Sequence, residues 1–458
     1  MLSIVRNVWE TLSGSYWFLP AVLGVAAVLL SIATVTLDQH LGDAWIAGIE
    51  MRAFAPMQSE GARAVLTTIA ASMITVAGVV FSLTLLVLTQ ASSQFGPRLL
   101  LNFMHDRTNQ FMLGAFVATF AYALLVLRVV TNADGTGSEA FVPQVSVLTA
   151  LALAFLTVGL LVYFFHHIAE SVRATHVLGN VDASLQDMLD SLPDPGDADV
   201  PAAEDLPAAE DLPAAEDLPA AEDLPAHFRD DVGVIEAPSG GYLQSVSVKT
   251  LVRVAAAHDA AIRVLPTVGS FVTRGAPLAE VHPASATPEL EDDVRKAIST
   301  GNDRSLAQDL GFTFDEFLEI ALRALSPSMN DPFTARTCID RIAQGLLGLD
   351  RRGTPGQVHV DDDGVVRAFV PLQGAGGLAR HLFAELRSAS RGNLFVTQHL
   401  LESLLMLRRH VRTAAIGMAV EDEIQELVRD AESALPPRDR ARLDALLSKS
   451  DVVFDVSD

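Results

Sequence analysis

The chain has 458 residues, 50% of them apolar, with a mean hydropathy of +0.32 and a formal net charge of −24. The hydropathy is too high for an ordinary soluble domain, and the acidic charge excludes nucleic acid as a main partner because phosphate binding needs a basic surface. A single cysteine, Cys338, excludes an intramolecular disulfide framework and a cysteine-based metal site within one chain.

Charge and hydropathy divide the chain into two parts. Residues 1–178 carry 7 basic and 9 acidic residues, a net charge of −2, whereas residues 179–458 carry 25 and 47, a net charge of −22. The first part therefore accounts for the hydropathy and the second for the acidity. This division predicts a transmembrane domain over residues 1–178 followed by a soluble region.

The first part contains four apolar segments, and each is long enough to cross a bilayer, which takes about 20 apolar residues. They cover residues 16–37, 64–90, 109–130 and 142–168. The first segment is too long for the apolar region of a signal peptide, and no cleavage site of the A-x-A type followed by a soluble domain appears. We predict an α-helical membrane domain with four transmembrane helices.

The arginines indicate the orientation of these helices. With both termini inside, the cytoplasmic arginines are Arg6, Arg98, Arg107 and Arg173, whereas Arg52 and Arg63 lie outside and Arg128 lies near the outer edge. This excess of inner positive charge favours cytoplasmic termini. We expect a multi-pass protein of the bacterial cytoplasmic membrane.

Small and hydroxyl-bearing residues form a stripe along the second span. At 100° per residue, one arc of about 120° contains Thr68, Ser72, Thr75, Gly78, Ser82 and Thr89. Thr84 falls on the opposite side. Such a stripe is typical either of a tight seam between helices or of a face that lines a path for water or ions. Both interpretations stay open at this point.

Two features flank the spans. Gly96 and Pro97 end the second helix, and the mixed apolar and polar residues that follow, up to Arg107, predict a short helix in the membrane interface. His166 and His167 end the fourth span. Neighbouring residues on a helix point about 100° apart, so this pair is a poor metal clamp and is expected to lie at the interface.

Residues 179–230 have the composition of a linker. They hold 15 acidic residues and one basic residue, and the sequence PAAEDL repeats four times over residues 201–224. A proline every six residues prevents a long helix, and one leucine per repeat cannot form a core. We predict a disordered, extended tether.

Short runs of β-forming residues, separated by glycines, predict a β-rich subdomain over residues 231–287 with a small barrel-like or sandwich-like form. Residues 268–278 look like a hairpin of the barrel–sandwich hybrid type found in biotinyl and lipoyl carriers. The modified lysine of those carriers is absent, and Lys249 lies in a different context. A swinging cofactor arm is therefore not expected, and we expect no cofactor.

Residues 288–458 are predicted to be mainly helical. Apolar residues recur every three to four positions over residues 305–325, and Ser326-Pro327 stops that helix. Asp331 then caps a new helix that starts with Pro332. A β-hairpin is predicted near residues 358–371. The whole chain is thus a helical membrane domain followed by an α+β soluble domain.

We call the turn between the helix of residues 305–325 and the helix that starts at Pro332, residues 326–332, the elbow. We group with it a set of polar and turn-forming residues as a candidate ligand site, comprising Arg304, Gln308, Asp309, Ser326, Pro327, Asn330, Asp331 and Pro332. Exposed backbone N–H groups at converging helix ends would favour an anion. Helix capping alone also explains these residue types. No phosphate-binding loop, zinc-protease motif or nucleophile elbow appears, so we expect neither an enzyme nor a metal site.

Three stretches carry a resemblance to a known family. They are VAGVVFSLT over residues 76–84 continuing into ASSQFGPRLL over 91–100, DRTNQ over 106–110, and ALSPSMNDPFTA over 324–335. The sequence resembles a bacterial family of predicted membrane proteins that is classed only as a domain of unknown function. The resemblance implies a helical membrane region before a soluble region, and it implies no activity.

Two functions follow as hypotheses. The first is a homo-oligomer in the lipid bilayer that acts as a channel, transporter or sensor for a small solute or ion, with a cytoplasmic regulatory domain. The alternative is a membrane-anchored scaffold whose soluble domain recruits a protein partner. A membrane-embedded enzyme would need a cleft with several perturbed titratable groups, for which the sequence gives no sign.

Overall fold

A computed structural model of the protein describes residues 17–41, 57–96, 106–131, 141–171, 173–192, 231–305, 308–353 and 357–451. The chain divides into two compact units, Met1–Val177 and Leu178–Asp458. The predicted interfacial helix that starts at Pro97 and the repeats of residues 201–224 lie outside the described residues.

Apolar helices form the described part of the first unit, which we call the membrane unit. Their bounds are α1 Phe18–Leu41, α2 Ser59–Phe95, α3 Arg107–Val129 and α4 Gln144–Ser171. All four are long and apolar enough to cross a bilayer, with mean hydropathies of 2.0 to 2.5 over their most apolar windows. The 37 residues of α2 extend over about 55 Å, well beyond the hydrocarbon core of about 30 Å.

Polar contacts join the helix ends of the membrane unit. The Asp38 carboxylate at the end of α1 accepts hydrogen bonds from the backbone N–H groups of Val145 (2.8 Å) and Ser146 (3.0 Å) and from the Ser146 hydroxyl (2.6 Å). It therefore satisfies donors of the first turn of α4. At the opposite helix ends, His167 Nε2 lies 2.7 Å from the carboxylate of Asp106, the residue that caps α3.

A helix that we label α5, Ala174–Ser191, covers the first part of the predicted tether. The prediction of disorder is therefore wrong for residues 179–191. The reason is packing: Leu185 and Leu189 are buried, and the Asp182 carboxylate forms an ion pair with Arg341 at 2.9 Å. Apolar residues recur at helical spacing in this segment. The prediction of disorder used the acidic composition of the whole segment 179–230 and so overlooked this helical spacing.

Two sheets form the β-rich part of the second unit, the α+β unit. The strands are β1 Gly233–Glu236, β2 Gly241–Val246, β3 Ala261–Val264, β4 Phe271–Val272, β5 Pro277–His282, β6 Ile298–Gly301, β7 Val358–Val360 and β8 Val366–Phe369. One sheet has the order β1-β5-β3-β8-β7 and the other β4-β2-β6. Helices α6 Val248–Ala257 and α7 Thr287–Ala297 pack beside them and share one apolar core.

The pairing of the strands corrects two predictions. Strands β4 and β5 belong to different sheets, so residues 268–278 do not form the predicted hairpin. The predicted hairpin of residues 358–371 does form, as β7 and β8, but β8 pairs in parallel with β3. The sheets thus cross the predicted subdomain boundary at residue 287. Non-local pairing of this kind leaves no local sequence signal.

The rest of the α+β unit is helical. The helices are α8 Leu310–Ala324, α9 Pro332–Arg352, α10 Ala375–Ser390, α11 Leu394–His410, α12 Ala414–Ala434 and α13 Pro437–Asp451. Contacts with α8, α11 and α10 place α9 inside this group. The buried Asp350 carboxylate on α9 accepts hydrogen bonds from the backbone N–H groups of Arg412 and Thr413 directly before α12. The α+β class predicted for this region is confirmed.

Candidate functional site

The predicted stripe on α2 lies on the outside of the membrane unit. Each of its six members, Thr68, Ser72, Thr75, Gly78, Ser82 and Thr89, is exposed. The opposite face of α2 is buried against the neighbouring helices through Leu66, Ile69, Met73 and Val80. The stripe is therefore not a seam between helices of one subunit.

Four of these hydroxyls follow one another at intervals of seven residues. Thr68, Thr75, Ser82 and Thr89 each donate a hydrogen bond to the carbonyl four residues earlier, at 2.7 to 2.8 Å. The row extends over 21 residues, or about 32 Å, which matches the hydrocarbon thickness. Its side of the helix is otherwise lined by Gly78, where an added Cβ would meet nothing within 4 Å, and by Val79 and Leu86.

The elbow between α8 and α9 is built by local hydrogen bonds. The Asp331 carboxylate accepts from the backbone N–H groups of Phe333 and Thr334 and from the Thr334 hydroxyl at 2.6 Å. Asn330, with a φ of 46°, adopts the left-handed conformation that asparagine tolerates, and its N–H donates to Ser326 O. The predicted cap at Asp331 and the first helical position of Pro332 are both confirmed.

The other three members of the proposed elbow site lie elsewhere. Asp309 caps the start of α8, and its carboxylate accepts from the N–H of Phe312 at 3.0 Å. The 15 residues of α8, about 22 Å, separate it from the elbow. Arg304 and Gln308 belong to this distant end, so the grouping of all eight residues into one site was wrong. Most of the predicted helix of residues 305–325 already lies between these three residues and the elbow, so the sequence itself argues against a single site.

Arg304 is the centre of a charged cluster at the start of α8. Its guanidinium donates in a bidentate manner to Asp309, at 2.7 and 2.8 Å, and to Asp315 at 2.6 Å. Asp309 is 2% exposed, so its carboxylate is almost fully removed from water, whereas the Arg304 side chain keeps 19% of its exposure. Gly269 lies against the carboxylate with a φ of 90°, and any Cβ there would collide with it.

Asp315 and His381 complete this cluster, and no local sequence pattern predicts their part in it. His381 on α10 reaches Asp315 at 3.4 Å. Burial acts to raise the pKa of Asp315, but hydrogen bonds from His381 and Arg304 outweigh it and hold the pKa below its usual value. The hydrogen bond with Asp315 raises the pKa of His381. The cluster joins α8 to α10 and to the residues before α8.

A small cavity beside Asp309 is lined by residues of the loops that precede α8 and α10. They are Val268, Gln308, Asp309, Leu310, Pro371, Leu372 and Gln373. The Gln308 amide accepts from the Val246 N–H at 2.8 Å and donates to the Val246 carbonyl at 3.3 Å. Because the Gln308 amide and the Asp309 carboxylate are already engaged, the arrangement fastens α8 to β2.

These features define a class: a membrane protein with an apolar helical unit and a helix-rich α+β unit. The family described as "Predicted membrane protein (DUF2254)" matches residues 13–406, and the chain belongs to this family. Uncharacterised proteins of Mycobacterium bovis and Mycobacterium tuberculosis are 30% identical to it over 94% of this chain and 79% of their own length. No solved structure matches the chain.

Proposed function

We propose that this protein is a homo-oligomer of the bacterial cytoplasmic membrane in which the exposed faces of α2 meet between subunits and line a path for a small cation. In this arrangement both termini and the α+β unit lie in the cytoplasm. The positive-inside count of the arginines supports that orientation. A reporter fused to each terminus tests it directly, and periplasmic activity of both fusions would contradict it.

The exposed hydroxyl row carries the proposal. A polar row of about 32 Å on the outside of a membrane unit faces either hydrocarbon or another polypeptide. Small residues allow the backbones of two helices to approach closely. The seven-residue spacing of Thr68, Thr75, Ser82 and Thr89 favours the left-handed crossing in which one helix meets another along its whole length.

The hydrogen bonds of the row bear on the type of solute. Each hydroxyl of the row donates its proton to a carbonyl of its own helix, so its oxygen keeps lone pairs for an acceptor role. Oxygen atoms presented in a row can replace part of the hydration shell of a cation. An anion would need donors, and these donors are already engaged. The chemistry therefore favours a cation.

Cysteine cross-linking tests the meeting of the α2 faces. Cys338 is fully buried, so an introduced surface cysteine is the site expected to react in the native protein. We expect Thr75→Cys to give covalent dimers in membranes. Ile74→Cys is the matched control, because Ile74 is exposed at the same depth but points about 100° away. Equal cross-linking of both variants would contradict the proposal that this face of α2 meets its counterpart in another subunit.

Flux measurements test passage separately from assembly. Protein in vesicles loaded with a thallium-sensitive dye should admit thallium ions, and a cationic thiol reagent should block Thr75→Cys but leave Ile74→Cys unchanged. If Thr75→Cys cross-links but wild-type vesicles admit no thallium, the row is a subunit seam and the proposed passage is wrong. That result would favour the scaffold hypothesis, in which the soluble unit recruits a partner.

A further inference from the structure

Apolar side chains gather at one end of the α+β unit. Phe333 is 70% exposed, Phe395 42% and Met329 38%. The two rings pack edge to face with centroids 5.3 Å apart, and Met329 lies in the elbow directly before α9. Among the described residues of this unit, these three belong to a set of seven exposed large apolar side chains. We call Met329, Phe333 and Phe395 the apolar end.

The direction of α5 relates this end to the membrane. Helices α5 and α9 run parallel, because Asp182 pairs with Arg341 and Asp190 pairs with Arg352, so the residue numbers rise together. Asp182 lies eight residues after the start of α5, and Arg341 lies eight residues after Phe333. At 1.5 Å per residue each distance is about 12 Å, so the start of α5 and Phe333 lie at the same level.

Helix α11 begins at the same level as well. Phe395 at its start contacts Phe333, and one turn further His399 Nε2 lies 2.7 Å from Asp340. Helices α9 and α11 are therefore parallel. Three helices, α5, α9 and α11, thus present their N-termini at the apolar end.

Chain length limits how far the start of α5 can be from the end of α4. The membrane helix α4 ends at Ser171, and α5 starts at Ala174. Three residues reach at most about 11 Å even when fully extended. The beginning of α5 is therefore held within about 11 Å of the end of the membrane helix α4.

Arg336 places a positive charge beside the aromatic rings of the apolar end. Each helix N-terminus carries a partial positive charge of about half a unit. The Arg336 guanidinium lies 4.5 Å from the Phe395 ring centroid and forms no ion pair with any residue that the structure describes. The acidic residues here are engaged, since Asp331 caps α9 and Asp340 pairs with His399. Aromatic rings beside arginine are typical of groups that insert at the headgroup boundary.

We propose that Met329, Phe333 and Phe395 insert into the headgroup region of the bilayer and, with Arg336, dock the α+β unit on the lipid surface. The argument uses only the membrane location of the chain, so it does not depend on the proposed passage of a cation. Contact with lipid explains why the elbow presents a phenylalanine at 70% exposure on a unit whose other large side chains are mainly buried.

Spin labelling of the full-length protein tests the docking. A nitroxide on Phe333→Cys is measured in nanodiscs of phosphatidylcholine and phosphatidylglycerol in a 7:3 ratio, where both membrane faces are open to solvent. Burial raises the pKa of the native Cys338 thiol, and this fully buried thiol should stay unlabelled. The matched control is Met418→Cys, which is 62% exposed near the start of α12 and so near the far end of α11.

We expect the label at position 333 to collide several-fold more with oxygen than with a water-soluble nickel chelate, relative to the label at position 418. Equal collision ratios at both positions would overturn the docking. Protection from both reagents at position 333 would overturn it too, because it would indicate a protein, either a second copy or another partner, on this surface. Phe395→Cys provides a second site if Phe333→Cys exposes Cys338 to labelling.

Discussion

The hydroxyl row of α2 and the charged groups of the α+β unit satisfy their hydrogen bonds in different ways. On α2 of the membrane unit each hydroxyl of the row bonds to its own helix, and no second element is needed. In the α+β unit, charged groups join separate elements: His381 on α10 pairs with Asp315 on α8, and Arg387 on α10 links Glu423 to Asp430 on α12. Where water is absent, polar groups are satisfied locally because an unpaired one costs several kcal/mol.

Each unit carries its own reporter, which makes this comparison measurable. The three tryptophans, Trp9, Trp17 and Trp45, all lie in the membrane unit. Cys338 lies in the α+β unit and is fully buried, so its reaction with a thiol reagent reports opening of that unit. Tryptophan fluorescence and thiol reactivity therefore follow the two units separately in the full-length protein.

The largest expected effect is at Arg304. Replacement by methionine leaves the buried Asp309 carboxylate without its counterion, and we expect the free energy of opening of the α+β unit to fall by about 3 kcal/mol. Thiol reactivity of Cys338 should rise accordingly. Arg323→Met is the control, because its ion pair with Glu319 is exposed and worth at most about 0.5 kcal/mol. Similar losses in both variants would contradict a dominant role of this cluster.

A smaller effect is expected for Asp38 in the membrane unit. Asp38→Ala removes the acceptor for three donors at the start of α4, and loss of a capping side chain costs about 1 to 2 kcal/mol. Tryptophan fluorescence should report a lower midpoint of unfolding while Cys338 stays protected. Thr36→Ala should change neither signal, because its exposed hydroxyl bonds only to its own helix. An unchanged midpoint for Asp38→Ala would show that this contact is dispensable.

The next prediction concerns pH and His381. The pKa of His381 is raised in the folded protein by Asp315, so its stabilising effect is present below its usual pKa of 6.5 and is lost as the pH rises through the raised value. The lowered pKa of Asp315 makes its own contribution available above its usual value of 3.8. Between pH 3.8 and pH 6.5 the wild-type protein should protect Cys338 from the thiol reagent better than the His381→Gln variant does. The difference should vanish at alkaline pH, and a difference that persists there would exclude this pair as its source.

The smallest effect is expected for the acidic repeats. Deletion of residues 201–224 should change neither reporter, because a tether without a core contributes no packing. The contrasting variant is Leu185→Ala in α5, which removes a fully buried side chain and should lower the free energy of opening of the α+β unit. A large change on deletion of the repeats would show that they pack against a folded unit.

Features that depend on neighbouring residues were predicted well. The four membrane helices follow from hydropathy over a window of about 20 residues, and the cap at Asp331 follows from the residues beside it. The α+β class also follows from local patterns. The helical spacing of α5 was present in the sequence, but the acidic composition of residues 179–230 obscured it.

The amino-acid sequence by itself determined that four apolar helices precede an α+β unit and that Asp331 caps a helix, because hydropathy and capping act over a few residues. Only the tertiary structure decided that β8 joins β3, that Asp315 and His381 complete the cluster of Arg304, and that the hydroxyl row of α2 faces outward. These facts depend on contacts between residues far apart in the chain. The pattern of one segment does not identify the partner of its exposed or buried face.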